Sequence, residues 1–242
     1  MRAIILSAGQ GSRLLPLTQD RPKCLLPVGP CSVIEWQVRH LAAGGVTEIA
    51  VVLGFQSDMV ATTLQRLAGP SLAIRTIFNP FYKVADNLGS CWMARHEMDR
   101  DFLLLNGDTL FEPAILKKLV AEAKEPITVT IDRKGEYDAD DMKVRIEGSR
   151  LCEIGKALPI ERVNGESIGF LAFRGDGPAL FRAAVDRTMH TPDGVKWWYL
   201  KVIDTLAREG RVGTVSIEGL AWGEIDFPAD LERAERMVAN WS

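Results

Sequence analysis

The chain has 242 residues, 47% of them hydrophobic and 25% charged, and its formal net charge is −3. Such a slightly acidic chain lacks the basic surplus typical of a nucleic-acid-binding protein, so we expect no nucleic-acid partner. Its apolar runs, such as residues 49–53 and 102–105, are far shorter than the roughly 18 residues of a membrane span. No signal-peptide pattern opens the chain, so we expect no membrane span and a cytoplasmic location.

The first half of the chain alternates short apolar runs with amphipathic segments. Strands are predicted at residues 2–7, 48–53, 73–78 and 102–105, and helices at residues 32–43, 57–67, 87–97 and 113–123. This alternation is typical of a mostly parallel sheet with helices on both faces.

From about Ile127 the rhythm changes to short runs separated by Gly, Asp and Asn. Strands are predicted at residues 127–132, 142–146, 151–154, 168–173 and 212–217, and helices at residues 178–187, 196–208 and 228–238. The first four of these strands read as β additions, with an antiparallel arrangement at one edge as one option. Without a linker or repeat, we predict a single domain over residues 1–242. The change of rhythm near Ile127 separates a first half, residues 1–126, from a second half, residues 127–242.

The loop after the first predicted strand is rich in glycine and carries cations nearby. Gly9 and Gly11 would let backbone N–H groups approach phosphate oxygens, and Arg13 and Lys23 would add positive charge. The match to a dinucleotide-binding fingerprint is partial, because Leu14 stands where the third glycine belongs. By itself, the G-x-G turn is equally compatible with a simple tight turn.

A longer pattern is more specific. The chain reads L-x-A-G-x-G-x-R-L-x-P-L-T at residues 6–18 and P-K-x-L-x-P-V at residues 22–28. L-N-G-D follows at residues 105–108, and W-x-x-I-D-x-x-x-D-L at residues 222–231. Together these motifs resemble the nucleotidyltransferase family that includes the sugar-1-phosphate nucleotidylyltransferases. The resemblance spans nearly the whole chain and implies a Rossmann-like three-layer α/β/α sandwich, with a mostly parallel mixed central sheet and β additions in the second half.

The resemblance also implies roles for the two halves and for individual residues. Residues 1–126 would bind a nucleoside triphosphate (NTP), and residues 127–242 mainly the acceptor of the nucleotidyl group. Arg13 and Lys23 would be catalytic, holding the departing pyrophosphate and bridging the reacting phosphates, and Asp108 and Asp226 would bind Mg²⁺. The residues implied to bind the NTP are Leu6, Ala8, Gly9, Gly11, Ser12, Arg13 and Gly107. Each assignment has an alternative, since either aspartate could instead cap the helix that follows it and Lys23 could be solvated.

The implied reaction is attack by a phosphate or phosphonate oxygen of an acceptor on the α-phosphorus of the NTP. The nucleophile is already an anion, so catalysis consists of positioning and electrostatic stabilisation and requires no general base. Cations and Mg²⁺ held by carboxylates suit this task.

Further motifs point to one branch of the family. The runs D-N-L-G-S at residues 86–90, D-x-D-D-M-K-V at 138–144, E-I-G-K at 153–156 and E-S-I-G at 166–169 resemble bacterial cytidylyltransferases that act on phosphocholine, 2-aminoethylphosphonate or inositol phosphate. By this likeness, Asn87 and Ser90 would lie near the cytidine of CTP. Lys143, Lys156 and Glu166 would lie near the acceptor. A solvated turn at residues 138–141 and a surface role for Lys156 are the alternatives.

Three consecutive aromatic residues, Trp197, Trp198 and Tyr199, lie on a predicted helix. Because adjacent helix positions point in different directions, not all three can face the core. Trp197 and Trp198 could bind a quaternary ammonium group of the acceptor through cation–π attraction. Packing onto the sheet or an oligomer contact is the alternative.

The sequence thus favours a Mg²⁺-dependent cytidylyltransferase of the phosphocholine type, with CTP and a small phosphorylated acceptor as substrates. Two other functions remain open. One is a sugar-1-phosphate nucleotidylyltransferase that uses UTP, GTP or dTTP, and the other is a nucleotide-sensing subunit without catalysis. A homodimer is an open alternative to a monomer.

Overall fold

A computed structural model describes residues 1–239 and 241. Its thirteen strands are β1 (Arg2–Ser7), β2 (Pro27–Val28), β3 (Cys31–Ser32), β4 (Glu48–Leu53), β5 (Ala73–Phe78), β6 (Phe102–Asn106), β7 (Thr109–Phe111), β8 (Ile127–Asp132), β9 (Lys143–Glu147), β10 (Arg150–Ile154), β11 (Gly165–Phe173), β12 (Val212–Ser216) and β13 (Trp222–Glu224). Its seven α-helices are α1 (Val33–Ala43), α2 (Ser57–Leu67), α3 (Asn87–Met93), α4 (Pro113–Glu122), α5 (Gly177–Met189), α6 (Tyr199–Arg208) and α7 (Pro228–Val238). Short 3-10 turns complete the regular structure.

Nine strands form one mixed sheet in the order β5-β4-β1-β6-β11-β8-β12-β10-β9. Strands β5, β4, β1 and β6 are parallel to one another, as the alternation in the first half predicts. Strand β11 is antiparallel to both β6 and β8, so one antiparallel addition lies in the middle of the sheet. Strands β9 and β10 form an antiparallel pair at the far edge, where an antiparallel arrangement is one of the expectations from the sequence.

The core consists of apolar layers on the two faces of this sheet. Alternate residues of β1 face opposite sides, with Ile4 and Leu6 in one layer and Ala3 and Ile5 in the other. Helices α3, α5 and α6 cover the first face, and α1, α2 and α4 cover the second. The expected three-layer α/β/α sandwich is confirmed. None of the helices in the described part of the chain is long and apolar enough to cross a membrane.

Helix α1 begins and ends where the sequence predicts. Ser32 and Glu35 form a capping box at its start, in which the Glu35 carboxylate accepts a hydrogen bond from the Ser32 backbone N–H at 2.7 Å. Gly44 follows its last residue. Seven of the helix residues are buried, among them the polar side chain of Gln37.

The prediction that Trp197 and Trp198 lie on a helix was wrong. Helix α6 begins only at Tyr199, and both tryptophans have extended backbone. The cause is a tertiary contact with the start of α3. The backbone N–H of Leu88 donates to the Trp197 carbonyl at 3.2 Å, and the backbone N–H of Tyr199 donates to the Asn87 side-chain oxygen at 2.9 Å. These bonds replace those of a first helical turn.

Candidate active site

The site lies where β1 and β6 end. From β1 the chain continues to β4 and β5 on one side and then returns to β6 on the other side, so the order of the sheet reverses between β1 and β6. Ligands of open α/β sheets bind in the crevice outside the carboxyl ends of the strands at such a reversal. The glycine-rich loop follows β1 and the turn that carries Asp108 follows β6, so the fold brings both predicted motifs to this crevice.

The glycine turn has a conformation that few side chains tolerate. Gly11 has a φ of 79°, in the left-handed region, and a Cβ atom there would lie 2.8 Å from the Cβ of Lys23. The Thr18 hydroxyl donates to the Gly11 carbonyl at 2.8 Å and fixes the turn from outside. Gly11 therefore allows the loop to pass close to Lys23.

The two predicted cations and the two predicted carboxylates meet at one point. The ammonium of Lys23 donates to Asp108 Oδ2 and to Asp226 Oδ1, at 2.7 Å in both cases. The guanidinium of Arg13 donates to the same oxygen of Asp226 at 2.8 Å. Burial alone would lower the pKa of Lys23, but the charges of Asp108 and Asp226 outweigh this effect and raise that pKa above its usual value. Lys23 therefore stays charged at neutral pH.

The pair of carboxylates fits a divalent cation. Asp108 Oδ1 is buried and has no hydrogen-bond partner among the described residues, so it is available as a ligand. Across those residues, no three His, Cys, Asp or Glu side chains form a complete metal cage. A pair of carboxylates is the usual protein contribution to Mg²⁺, which takes its other ligands from water and substrate phosphates.

Two cavities border these groups. The strand-end cavity, of about 210 Å³, is lined by Leu6, Ser7, Gly9, Gly11, Lys23, Cys24, Asn87, Asn106, Gly107 and Asp108. The glycine-turn cavity, of about 410 Å³, is lined by Gly9, Gln10, Gly11, Ser12, Arg13, Lys23, Tyr82, Lys83 and Asp226. Most of the predicted NTP-binding residues are therefore brought together around two adjoining spaces.

Two predicted NTP-binding residues do not line either cavity. Ser90 is buried in α3, and its hydroxyl accepts a hydrogen bond from the Asn79 side chain at 3.1 Å. Ala8 is also buried, and its carbonyl accepts from the Phe55 backbone N–H at 3.0 Å. Both residues support the loops that border the cavities.

A third cavity, which we call the acidic cavity, has a volume of about 360 Å³ and shares Asp226 with the glycine-turn cavity. The charged residues that line it are Lys134, Asp138, Asp140, Asp141, Glu166, Glu224, Asp226, Asp230 and Arg233. Carboxylates therefore clearly outnumber cations in its wall. Of the predicted acceptor residues, Glu166 lines this cavity.

The charge on Glu166 is poorly compensated. Its side chain is buried, and the Lys134 ammonium lies 3.2 Å from its carboxylate while donating to Asp141 at 2.8 Å. Burial raises the pKa of Glu166 to about 7, with the Lys134 charge opposing this shift and the Asp141 charge adding to it.

The other predicted acceptor residues lie outside the lining of the acidic cavity. Lys143 is buried, and its ammonium donates to the Lys156 carbonyl at 3.0 Å. Lys156 lies 3.3 Å from the Asp140 carboxylate and 5.2 Å from the centre of the Trp198 ring. The Trp198 indole N–H donates to Asp86 at 2.9 Å, and Trp197 is partly buried against the core. The two tryptophans therefore do not form an aromatic box around this cavity.

Sequence reasoning missed several residues of the site. Glu224 lines the acidic cavity, and burial, reinforced by the charges of Asp108 and Asp226, raises its pKa to about 8. Its signal was its position two residues before Asp226, which places it in the motif that carries that aspartate. Asp141 lies in the motif at residues 138–144, but the sequence assigned it no role. Lys134 could be found only through the fold, which brings it to Asp141 and Glu166. Lys83, in the lining of the glycine-turn cavity, carried no signal.

The sequence matches the nucleotidyl transferase family over residues 2–141. The chain belongs to this family. The resemblance inferred from the motifs is thereby confirmed, and the match includes the glycine turn, Lys23 and Asp108.

Several members of the nucleotidyl transferase family are similar over nearly the whole chain. The CMP-5'-(3-aminopropyl)phosphonate synthase of Streptomyces rubellomurinus is 31% identical over 97% of this chain and 38% of its own length. The bifunctional IPC transferase and DIPP synthase of Rubrobacter xylanophilus is 32% identical over 99% of this chain and 52% of its own length. The present chain thus spans about half or less of these two relatives. The choline-phosphate cytidylyltransferase of Streptococcus pneumoniae is 29% identical over 99% of both chains.

Solved structures share the family fold. The inositol-1-phosphate CTP transferase from T. maritima superimposes with a TM-score of 0.81 at 19% identity, over 99% of this chain and 96% of that one. The CTP:phosphocholine cytidylyltransferase from Streptococcus pneumoniae superimposes with a TM-score of 0.81 at 20% identity, over 98% of both chains.

Proposed function

We propose that this protein is a Mg²⁺-dependent cytidylyltransferase that joins CMP to a small phosphate or phosphonate acceptor and releases pyrophosphate. The observation that carries the proposal is the convergence of Arg13 and Lys23 on Asp108 and Asp226, beside cavities at the ends of β1 and β6. The names of the similar proteins support cytidylyl transfer in particular.

In the proposed reaction, the glycine turn holds the triphosphate through its backbone N–H groups. An acceptor oxygen forms a bond to the α-phosphorus, and the bond from that phosphorus to the pyrophosphate oxygen breaks. Arg13 binds the departing pyrophosphate, and Lys23 bridges the reacting phosphates. These two cations reduce the repulsion between two polyanions and align the attacking oxygen.

Asp108 and Asp226 would hold Mg²⁺. The ion, when bound, supplies further neutralisation of phosphate charge. The Lys23 ammonium, which donates to both carboxylates, would stand beside such an ion and add its own charge to that of the site.

We propose that the acceptor carries a positively charged amino group and that this group binds in the acidic cavity. The excess of carboxylates there suits a cation, and the poorly compensated Glu166 is one of its walls. Two of the similar proteins are named for acceptors that contain such a group, an aminopropylphosphonate and choline phosphate. The cavity shares Asp226 with the proposed metal site, so the acceptor's phosphate or phosphonate end would point toward the α-phosphorus.

Within this class, the wall of the cavity favours a primary ammonium group over a quaternary one. The cations already in the wall are the Arg233 guanidinium and the primary ammonium of Lys134, and the latter lies within hydrogen-bonding distance of Asp141. Carboxylates suit an ammonium that donates hydrogen bonds, whereas a quaternary group needs aromatic faces. Of the aromatic residues in the cavity lining, Phe227 already has the Arg13 guanidinium over its ring, 5.0 Å from the ring centre, and the Trp222 indole N–H donates to Asp132 at 2.7 Å. The Trp198 ring lies outside the lining and is in contact with Lys156.

The test is a pyrophosphate-release assay with Mg²⁺. CTP, UTP, GTP, ATP and dTTP would be combined with 2-aminoethylphosphonate, phosphoethanolamine, phosphocholine, inositol 1-phosphate and glucose 1-phosphate. We expect turnover with CTP and the primary amines. Turnover only with a hexose phosphate and UTP, GTP or dTTP would overturn the cytidylyl assignment, and NTP binding without any turnover would favour a sensing subunit.

Two variants connect this assay to the site. Lys23→Met should lower the rate by about 100-fold or more, because one donor to the reacting phosphates is lost, whereas Lys117→Met, on the exposed face of α4, should retain the parent rate.

Glu166→Gln should raise the acceptor KM and leave the CTP KM unchanged. An unchanged acceptor KM would exclude the acidic cavity as the acceptor site.

A further inference from the structure

Gln37 is a polar side chain in the middle of α1 and is only 1% exposed. Its amide nitrogen donates two hydrogen bonds of 2.8 Å, one to the carbonyl of Asn106 and one to the carbonyl of Thr109. These carbonyls lie on either side of Gly107 and Asp108. A single side chain from the helix layer therefore holds both ends of the turn that carries Asp108.

Two backbone bonds also hold the main chain of this turn. The N–H of Gly107 donates to the Leu6 carbonyl at 2.9 Å, and the N–H of Ile225 donates to the Asp108 carbonyl at 3.2 Å. These bonds tie the turn to β1 and to the segment of Asp226, but they do not connect its two ends. The Gln37 bonds do connect them, and they require two N–H donors on one nitrogen. Glutamate and methionine have similar length, and neither has such a group.

The oxygen of the Gln37 amide lacks the hydrogen bond that a buried polar atom usually has. Gln37 Oε1 is buried and has no hydrogen-bond partner among the described residues. An unsatisfied buried oxygen is costly, so the benefit of the glutamine lies in its two donors. Both donors are directed at the backbone around one carboxylate.

We propose that Gln37 is a positioning residue for Asp108. By fixing the backbone on both sides of Gly107 and Asp108, it holds the Asp108 carboxylate near that of Asp226, where the Lys23 ammonium contacts both. Gln37 touches neither substrate nor metal, so it acts through the turn alone. The inference rests on the proposed function, in which Asp108 is a metal ligand.

The experiment measures Mn²⁺ binding to the purified protein by electron paramagnetic resonance, without turnover. Gln37→Met keeps the side-chain length and removes both donors, and Gln37→Glu directs carboxylate oxygens at the two carbonyls. Removal of a group that orients a metal ligand weakens metal affinity by roughly 10- to 100-fold. We therefore expect the Mn²⁺ Kd to rise by about 10-fold or more in Gln37→Met and further in Gln37→Glu. If Gln37→Glu does not fold, Gln37→Met carries the test.

Val38→Ala is the matched control, because Val38 is the next residue of the same helix, is equally buried and has an apolar side chain that donates no hydrogen bond to the turn. It should lower the thermal midpoint and leave the Mn²⁺ Kd unchanged, which separates positioning from general loss of stability. Asp108→Asn tests the metal site itself. If Asp108→Asn abolishes Mn²⁺ binding while both Gln37 variants bind Mn²⁺ normally, the positioning role of Gln37 is overturned and the metal assignment stands. If Asp108→Asn binds normally, the metal assignment fails and the inference fails with it.

Discussion

Glu166 is the residue at which burial and charge conflict most clearly. Its carboxylate is enclosed at the end of the sheet, with the Lys134 ammonium and the Asp141 carboxylate beside it. Of these two neighbours, Asp141 has its pKa lowered, because hydrogen bonds from Lys134 and from the backbone outweigh the effect of burial. The shared cation thus stabilises the charge of Asp141, while the pKa of Glu166 rises to about 7.

This conflict predicts how stability changes with pH. An unfolded glutamate has a pKa of about 4.3, so the folded protein binds the proton of Glu166 more tightly than the unfolded chain does. The contribution of Glu166 to the free energy of unfolding should therefore fall as pH rises from about 4.3 to about 7. The Glu166→Gln variant has no ionisable group at this position. As pH rises over this range, its free energy of unfolding should therefore increase relative to that of the parent, by about 1 to 2 kcal/mol once solvent screening is allowed for. Urea unfolding at a series of pH values measures this difference.

Glu136→Gln is the control, because Glu136 is exposed on the turn that carries Lys134. Its stability should follow that of the parent at every pH. A difference between Glu166→Gln and the parent that stays constant with pH would show that Glu166 is ionised throughout this range.

At the scale of elements, β11 departs from regular pairing next to the site. It pairs with β8 through Ser167 and Ile131 and again through Leu171 and Val129, so it carries extra residues in a bulge between these pairs. Gly169 lies in the bulge with a φ of 69°, and a Cβ atom there would lie 2.3 Å from Nδ2 of Asn106. The bulge thus lets β11 approach the turn that carries Asp108.

We expect Gly169→Ala to destabilise the protein by about 3 kcal/mol, the sum of a left-handed φ and an overlap with Asn106. The matched control is Gly148→Ala, because Gly148 has a similar φ of 62° and open space around its Cβ position. That variant should cost only about 1 to 2 kcal/mol. Denaturant unfolding of the two variants isolates the effect of the close approach. Equal losses would mean that Asn106 moves aside at no cost.

At the scale of the whole molecule, the two predicted halves share one sheet. Strand β11, from the second half, hydrogen-bonds to β6 of the first half and to β8 of the second. Phe102 of β6 stacks on Phe173 of β11, with ring centres 4.4 Å apart. The strand-end cavity is lined entirely by residues of the first half and the acidic cavity entirely by residues of the second, while Lys23 bonds one carboxylate from each.

Because the sheet is continuous across the halves, we expect the protein to unfold in a single transition, with a ratio of calorimetric to van't Hoff enthalpy of about 1. Phe102→Ala should lower the stability by roughly 3 to 5 kcal/mol and still give one transition. Scanning calorimetry checks both expectations. Val84→Ala, at an exposed apolar residue, should leave the thermal midpoint nearly unchanged. Two resolved transitions in the parent would show that the halves unfold independently.

The sequence by itself determined most of the elements and the family of the chain. Hydrophobic periodicity located the seven α-helices and the nine strands of the large sheet, because burial of one face is a local property of the pattern. It missed β2, β3, β7 and β13, which have only two or three residues each. The motifs around Gly9, Lys23, Asp108 and Asp226 identified the family, because phosphate and metal chemistry restricts both residue type and spacing.

Only the tertiary structure decided which side chains meet. The start of α6, the acidic cavity and the contact of Gln37 with the Asp108 turn all depend on residues far apart in the chain. Trp197 has a helical pattern, but hydrogen bonds to the start of α3 hold it in extended backbone. In the sequence, Gln37 is an ordinary polar residue of an amphipathic helix. In the fold, β6 and β7 place the carbonyls of Asn106 and Thr109 within hydrogen-bonding distance of its amide nitrogen. Such contacts arise from packing between elements, which local periodicity does not encode.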